Sequence, residues 1–337
     1  MSKKYNVAIV GATGVVGKEI INILEQRNFP IQSLTLLASK RSAGQVISFN
    51  EKAVKVKVLE ENSFKDIDFA LFSAGSSISE KFAPIAAKSG AIAIDNTSFF
   101  RMQDDIPLIV PEVNGHAIKN HKGIIANPNC STAQLVMALK PIHDAATIKR
   151  LVISTYQSVS GAGKDAILEL ENHSRYLLKG EDSEPKEFVK PIPFNVIPQI
   201  DNFVDNGYTK EEMKMINETN KILESEINIT ATAVRVPVFI SHCESVNIQT
   251  EKELSTKKVR DILSTFPGVT VLDDPQKSTF PTARDSSGKD DVYVGRIRKD
   301  ISQKNSIDCW IVADNLRKGA ALNAVQIAEY MIANPSK

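Results

Sequence analysis

Cysteine is scarce in this chain: three residues in 337, odd in number and far apart. That spacing excludes a disulfide framework, shows no paired metal-ligand pattern, and fits a reducing cytoplasm with no metal site. An excess of either charge is also missing. With 41 basic and 40 acidic residues the net charge is +1, which argues against a nucleic-acid binder that works by neutralising phosphates. No apolar run approaches the roughly 20 residues that span a bilayer, so no membrane segment is expected. Two N-terminal lysines and the apolar stretch from Tyr5 to Val16 superficially resemble a secretion signal. Glycines punctuate that stretch and no small-residue cleavage site follows, so the reading is a cytoplasmic protein without a leader. Repeats, low-complexity tracts and linker-like segments are absent, and the length suits two ordinary domains.

The first of these opens on a strand. Tyr5 to Val10 is a short, β-branched, nearly continuous apolar run, as in a strand buried on both faces of a parallel sheet. It leads into GATGVVG, residues 11 to 17, and then into helical spacing from Lys18 to Gln26. Strand, glycine turn and helix form a phosphate cradle, because unpaired N–H groups at the helix start face the anion and glycines permit its close approach. Gly11, Thr13, Gly14, Val15 and Val16 are the candidate cofactor contacts, although the spacing G-x-x-G-x-x-G is looser than the usual dinucleotide fingerprint. The next strand, Ser33 to Ala38, ends in Ser39, Lys40, Arg41 and Ser42. NAD would want an acidic residue there, whereas Arg41 between Ser39 and Ser42 suits a ribose 2′-phosphate, so NADP is the expected cofactor. A solvated basic loop is the plainer alternative. Strands over Val54–Leu59, Phe69–Ser73 and Ala91–Asp95, with a helix over Ser79–Lys88, complete a β, α, β alternation that predicts a doubly wound parallel sheet. Ser73 and Gly75, at a strand's carboxyl end, would form a second wall of the cofactor cleft. Arg101 follows an Asn/Thr/Ser cluster that could hold a phosphate or carboxylate.

The stretch Asn127, Pro128, Asn129, Cys130, Ser131, Thr132 turns at once into an apolar helical run expected to end near Pro141. A cysteine at a helix mouth is favoured as thiolate by the unpaired N–H groups there, and Asn129 could aim an amide at an oxyanion formed on a carbonyl that Cys130 attacks. Taken alone, the stretch also suits a buried structural cysteine.

Beyond it a strand over Arg150–Tyr156 opens into Gln157 and a serine- and glycine-rich loop containing Ser160 and Gly161. A helix over Asp165–Lys179 precedes the proline-rich segment 185–198, which is expected to be loop-like and packed. Thr209 caps a helix over Lys210–Ser225 on which Glu211 and Lys214 share a face, in isolation an ordinary surface pair. The strand Ala231–Ile240, broken by Pro237, carries Arg235 and leads to His242, a side chain suited to proton transfer at neutral pH. Their odd separation puts them on opposite faces of a regular strand unless Pro237 or the turn near Ser241 re-aims one. Further strands are expected at Glu244–Thr250, Val292–Arg298 and Ser306–Ala313, a helix at Ser255–Ser264, and an apolar closing helix at Ala320–Ala333, whose return to the first domain would put Asn315 at the cofactor cleft. Cys243 and Cys309 read as core.

GATGVVG, NPNCST at 127–132, YQSVSGAG at 156–163, RVPVFISH at 235–242 and ADNLRKGAALNAVQ at 313–326, in this order over essentially the whole chain, resemble the aspartate-β-semialdehyde dehydrogenase family. The resemblance implies an α/β protein: a Rossmann-type doubly wound NADP domain over residues 1–129 with 314–337, and an α+β catalytic and dimerisation domain over 130–313. It implies an oxidoreductase of lysine, methionine and threonine biosynthesis that reduces L-aspartyl 4-phosphate with NADPH to aspartate semialdehyde and inorganic phosphate. A homodimer or homotetramer is the implied assembly. By that resemblance Cys130 is the acylated nucleophile and His242 the acid/base. Gln157 orients the substrate, Arg235 holds its α-carboxylate, Arg101 with Lys214 binds the phosphate, and Glu211 meets the amino group. The competing readings are N-acetyl-γ-glutamyl-phosphate reductase, whose blocked amine leaves Glu211 without purpose, glyceraldehyde-phosphate dehydrogenase, whose glycine pattern and cysteine context differ, and a non-enzymatic dinucleotide sensor, against which Cys130, Gln157 and His242 together speak.

Overall fold

The computed structural model describes residues 3–181 and 183–335, so the extreme ends of the expected first-domain ranges, residues 1, 2, 336 and 337, lie outside the described residues. The chain divides into two compact units, Met1–Asn129 with Ala320–Lys337, and Cys130–Gly319. The crossing between them falls at Asn129/Cys130 and again at Gly319/Ala320.

In the first unit β1 (Tyr5–Val10) runs into α1 (Val15–Gln26), followed by β2 (Ile31–Ala38), the hairpin β3 (Val46–Phe49) and β4 (Lys52–Lys55), and the short β5 (Lys57–Val58). Then come β6 (Phe69–Phe72), α2 (Ser76–Lys88), β7 (Ile92–Asp95), the one-turn helix α3 (Pro111–Asn114) and β8 (Ile124–Ala126). Six strands form one sheet in the order β5-β2-β1-β6-β7-β8, and all its pairings are parallel. That is the doubly wound arrangement expected: β1 is central and its last four residues are buried, because crossover helices cover both faces. The C-terminal helix Leu322–Ala333 belongs to this unit and packs on α1 and α3, burying Leu322, Val325, Ile327 and Ala328 in its core. One expected strand differs. Val54–Leu59 is broken at Val56, whose N–H and carbonyl pair with Gln45 and Gly44 instead of continuing a ladder.

The second unit opens with α4 (Cys130–Ala146) and β9 (Ile148–Gln157), then α5 (Lys164–Leu178), α6 (Lys210–Leu223), β10 (Asn228–Arg235), β11 (His242–Thr250), α7 (Thr256–Ser264), β12 (Val269–Val271), the short α8 (Ala283–Ser286), β13 (Val292–Lys299) and β14 (Ser306–Ala313). Its sheet has the order β10-β9-β11-β14-β13-β12, parallel at the two outer pairs and antiparallel within. The helix α4 does not stop near Pro141 but runs through it to Ala146. A proline in a helix interior removes one hydrogen bond, yet Leu135 to Leu139 and Ile142 are fully buried around it, and that packing holds the helix together. The proline-rich segment is packed only in part: Ile192 and Ile197 join Val159, Ala166 and Leu170 in a small core, while Val189, Phe194 and Val196 are exposed. Among the described residues no helix is long and apolar enough to cross a membrane.

Candidate active site

The glycine turn of the first unit is built for close approach. Gly11 adopts φ +88°, and a Cβ there would sit 2.8 Å from the Ser73 carbonyl oxygen, so only glycine fits. Gly17 packs so tightly on the Gly11 carbonyl that a side chain would collide with it, which draws α1 against the strand end. The cavity beside the turn measures about 420 Å³ and is lined by Gly11, Thr13 and Gly14 together with Ser39, Arg41, Ser42 and Ser73. Seven of the expected cofactor residues therefore face one cavity at the carboxyl edge of a parallel sheet. A dinucleotide fits these walls: a glycine turn that lets the pyrophosphate come close to the N-terminus of α1 at one end, and a guanidinium flanked by two hydroxyls at the other. Val15 and Val16 are the first residues of α1, and Gly75 (φ +97°) precedes α2; none of these three lines the cavity.

Arg101 is also in this unit. Its Nε donates to the Asn127 carbonyl at 2.9 Å and its Nη2 to the Asn96 carbonyl at 2.7 Å, so the guanidinium is held by backbone and is buried. Asn323 Nδ2 donates to Asn127 Oδ1 at 2.7 Å, tying the C-terminal helix to the segment that ends in the buried Asn129.

In the second unit Cys130 is the first residue of α4, half-buried at the helix mouth as expected. A Cβ on Gly319 would come within 2.8 Å of the Cys130 Cβ, so the Gly319 backbone lies directly against it. Gly319 falls in a single π-helical turn, Arg317–Ala321, the kind of irregularity that recurs at functional sites.

The odd spacing of Arg235 and His242 resolves simply. Arg235 ends β10, His242 begins β11, and the residues between form a turn that reverses through Ser241 at φ +79°. A Cβ on Gly161 would lie 3.1 Å from Arg235 Nη1 and 3.3 Å from His242 Nε2. Both side chains thus face the same backbone point. The loop carrying it is zipped to that turn by Val159 and Ser160 N–H groups donating to the Val238 and Phe239 carbonyls. Arg235 Nη1 also donates to the Ser158 carbonyl at 2.7 Å. Burial lowers the Arg235 pKa from its usual value, while Glu211 and Cys130 nearby favour its charge. His242 is wholly buried, and burial followed by the Arg235 guanidinium pushes its pKa down to about 3, against a smaller pull from Glu211.

Glu211 and Lys214, an ordinary surface pair by spacing alone, belong to this buried network. Glu211 Oε1 accepts from Gln157 Nε2 at 3.2 Å and Oε2 from Lys214 Nζ at 3.1 Å, while Lys214 also reaches Asp201 at 3.0 Å. Burial would lower the Lys214 pKa, but the Glu211 and Asp201 carboxylates outweigh it and the net shift is upward. Thr209 caps the helix with a capping box, which fixes where Glu211 points.

Sequence reasoning named the turn near Ser241 but did not single out Asp201, Ser158, Gln134 or Glu244. Asn315 Oδ1 accepts from the Ser241 N–H at 2.9 Å and approaches the Ser158 and Ser160 hydroxyls, so Asn315 and Ser160, expected at the cofactor, are bonded in this unit around His242. Gln134, one turn along α4 from Cys130, donates to the His242 carbonyl at 3.4 Å and lies beside the buried Glu244. These are long-range contacts without a local signature.

Residues 6–121 match the family model for the semialdehyde dehydrogenase NAD-binding domain, and residues 139–318 match that for the semialdehyde dehydrogenase dimerisation domain. The chain is 53 % identical over 333 residues to the aspartate-semialdehyde dehydrogenase of Aquifex aeolicus, covering 97 % of this chain and 98 % of that one. This chain belongs to the aspartate-semialdehyde dehydrogenase family. The Bacillus subtilis family member is 49 % identical over 340 residues, with 98 % of each chain covered. A crystal structure of the Vibrio cholerae aspartate semialdehyde dehydrogenase II superposes with a TM-score of 0.97 at 51 % identity, covering 99 % of this chain and 100 % of that one. Membership makes this protein a dehydrogenase with a nicotinamide-dinucleotide domain, in an α/β fold that agrees with the sequence expectation.

Proposed function

We propose that this protein catalyses the NADPH-dependent reductive dephosphorylation of L-aspartyl 4-phosphate to L-aspartate 4-semialdehyde and phosphate, in the cytoplasm, as a step of amino-acid biosynthesis. The observation that carries the reading is the convergence of Arg235 Nη1 and His242 Nε2 on Gly161, in the unit whose first residue is Cys130, with Glu211 bridging Gln157 and Lys214 beside them. A substrate with an α-carboxylate, an α-amine and a phosphate needs a guanidinium, a carboxylate and a second cation.

Cys130 Sγ attacks the acyl carbon, and the phosphate leaves with the electrons of the broken C–O bond, giving a thioester. Arg235 binds the α-carboxylate, Glu211 the α-amine, Lys214 and Arg101 the phosphate. Gln157, held by Glu211, orients the acyl group, Asn129 offers a donor near its oxygen, and His242 brings an imidazole to the same oxygen. Gly11, Thr13 and Gly14 would hold the reduced dinucleotide at the glycine turn, where it would supply the hydride that takes the acyl group to the aldehyde level. Cys130 then regains its electron pair and the semialdehyde departs. Arg41 with Ser39 and Ser42 supports NADP over NAD. The relative from Candida albicans, solved with NADP, is consistent with this at 25 % identity and a TM-score of 0.76. A homodimer is proposed from the dimerisation-domain match and from an exposed sheet face where Tyr156 and Trp310 lie ring to ring at 5.3 Å beside the exposed Phe280.

Cys130→Ala should abolish NADP reduction by aspartate semialdehyde and phosphate while calorimetry still detects NADP binding. Full turnover by that variant would remove the mechanism.

A further inference from the structure

Lys214 lies between two carboxylates, and only Glu211 has a role in the reaction above. Lys214 Nζ donates to Glu211 Oε2 at 3.1 Å and to Asp201 Oδ2 at 3.0 Å. An ammonium has three donors, so one remains for the phosphate. Anchoring does not require Asp201, because Glu211 already fixes the ammonium from three positions away on the same helix. For an anion site a second carboxylate is a handicap. With +1 on Lys214 and −1 on each of Glu211 and Asp201, the trio carries a net charge of −1.

Asp201 is nevertheless held in place. Its backbone sits in the left-handed region at φ +67°, and its carbonyl accepts from Gln199 Nε2 at 3.3 Å. Oδ1 accepts the Asn202 N–H at 2.8 Å, and the Asn202 carbonyl accepts the Lys210 N–H at 2.8 Å at the start of α6. The loop is thereby tied to the helix that carries Lys214, and Oδ2 keeps a lone pair beyond its bond to Nζ. Burial would raise the Asp201 pKa, but the Asn202 N–H and Lys214 outweigh it and the net shift is downward. The group is an ionised carboxylate that can only accept. Lys214 and Asp201 are both open on one side, with 25 % and 32 % of their side chains exposed against 7 % for Glu211. An anion can reach both from there.

We propose that Asp201 selects phosphate among tetrahedral anions: its Oδ2 accepts the P–O–H hydrogen of hydrogen phosphate while another oxygen of the same anion takes the third N–H of Lys214. The inference rests on the proposed reaction, in which Lys214 binds the phosphate. The geometry closes. An N–H···O bond of about 2.8 Å and an O–H···O bond of about 2.6 Å, set on Nζ and Oδ2 atoms 3.0 Å apart, bracket two oxygens of one tetrahedral anion. Near neutral pH hydrogen phosphate keeps a proton that it can donate, whereas sulfate has none and meets the Asp201 carboxylate as bare repulsion. The carboxylate that weakens generic anion binding therefore gives specificity. Its role is recognition alone, and the proton stays on the phosphate.

The test is the initial rate of NADPH formation from aspartate semialdehyde and NADP, with phosphate varied against sulfate at constant ionic strength. For the wild type, the sulfate inhibition constant should exceed the KM for phosphate at least tenfold, since a hydrogen bond to a charged group is worth roughly tenfold to a hundredfold in affinity. In Asp201→Asn, whose amide can donate to sulfate, KM for phosphate should rise and the sulfate constant should fall, closing their ratio by about tenfold or more. Glu211 still holds Lys214 in that variant. A wild type inhibited by sulfate as readily as it uses phosphate would overturn the proposal. So would a variant in which both constants move by the same factor, the mark of a structural or plain charge effect. Should Asp201→Asn fail to fold, monofluorophosphate tests the wild type alone. It resembles hydrogen phosphate but lacks the hydroxyl near neutral pH, so its inhibition constant should lie at least about tenfold above the KM for phosphate, and equality overturns the proposal. Two controls separate this role from the reaction it rests on. Absence of wild-type turnover with phosphate would remove the reaction itself, and Lys214→Met with an unchanged KM for phosphate would move the phosphate site and overturn the role of Asp201 with it.

Discussion

Glu211→Gln isolates the carboxylate from the scaffold around it. Glu211 is 5 % exposed, so its charge is little screened by water, and the substitution keeps its size and its ability to accept from Gln157. Lys214 stays in place because Asp201 holds it independently at 3.0 Å. What is lost is a charge-assisted bond to the substrate's ammonium, typically about 1.5 to 3 kcal/mol. That corresponds to a fall of about 10- to 150-fold in kcat/KM for aspartate semialdehyde, at 1.4 kcal/mol per tenfold. The assay follows NADPH formation with phosphate present, for aspartate semialdehyde and for its des-amino analogue, succinate semialdehyde. The wild type should prefer the amino substrate, and the variant should lose most of that preference while its rate with the analogue changes little. An unchanged ratio would show that Glu211 does not read the amine and that its place between Gln157 and Lys214 is structural.

Arg41→Ala should raise KM for NADP by about tenfold or more while leaving KM for NAD nearly unchanged, measured by paired steady-state kinetics; parallel changes would place the 2′-phosphate elsewhere. Glu244→Gln should stabilise the protein increasingly as pH rises. Burial pushes the Glu244 carboxyl well above the usual range, so above about pH 4.3 the unfolded chain releases a proton that the folded one retains, and wild-type stability falls. Glutamine cannot ionise, and the difference in Tm, variant minus wild type, should therefore grow between about pH 5 and pH 8 by thermal scan. A constant difference would contradict this.

Local patterns carried most of the fold. The β-branched run before Gly11, the capping Thr209 and the apolar C-terminal helix each announce themselves within a dozen residues, because burial on two faces, an unpaired helix end and an apolar run that must pack are local demands. Where the expectation failed, packing overrode propensity: α4 continues through Pro141 because its neighbours are fully buried, and the short strand Val269–Val271, too brief for a periodicity signal, exists through its pairing with β13. The site was legible as residue types in order. Its assembly was legible only at the turn near Ser241, which aims His242 as the spacing required; the meeting of Ser158 with Asn315 across 157 positions was not.

The central claim, that Cys130 in this fold turns an acyl phosphate into an aldehyde through a thioester, is tested most directly by incubating the purified protein with aspartate semialdehyde and NADP, with and without inorganic phosphate. The account predicts sustained NADPH formation only when phosphate is present, with at most one equivalent per active site in its absence, because the thioester on Cys130 awaits phosphate as its acceptor. Sustained turnover without phosphate, or no NADPH in either case, would contradict it.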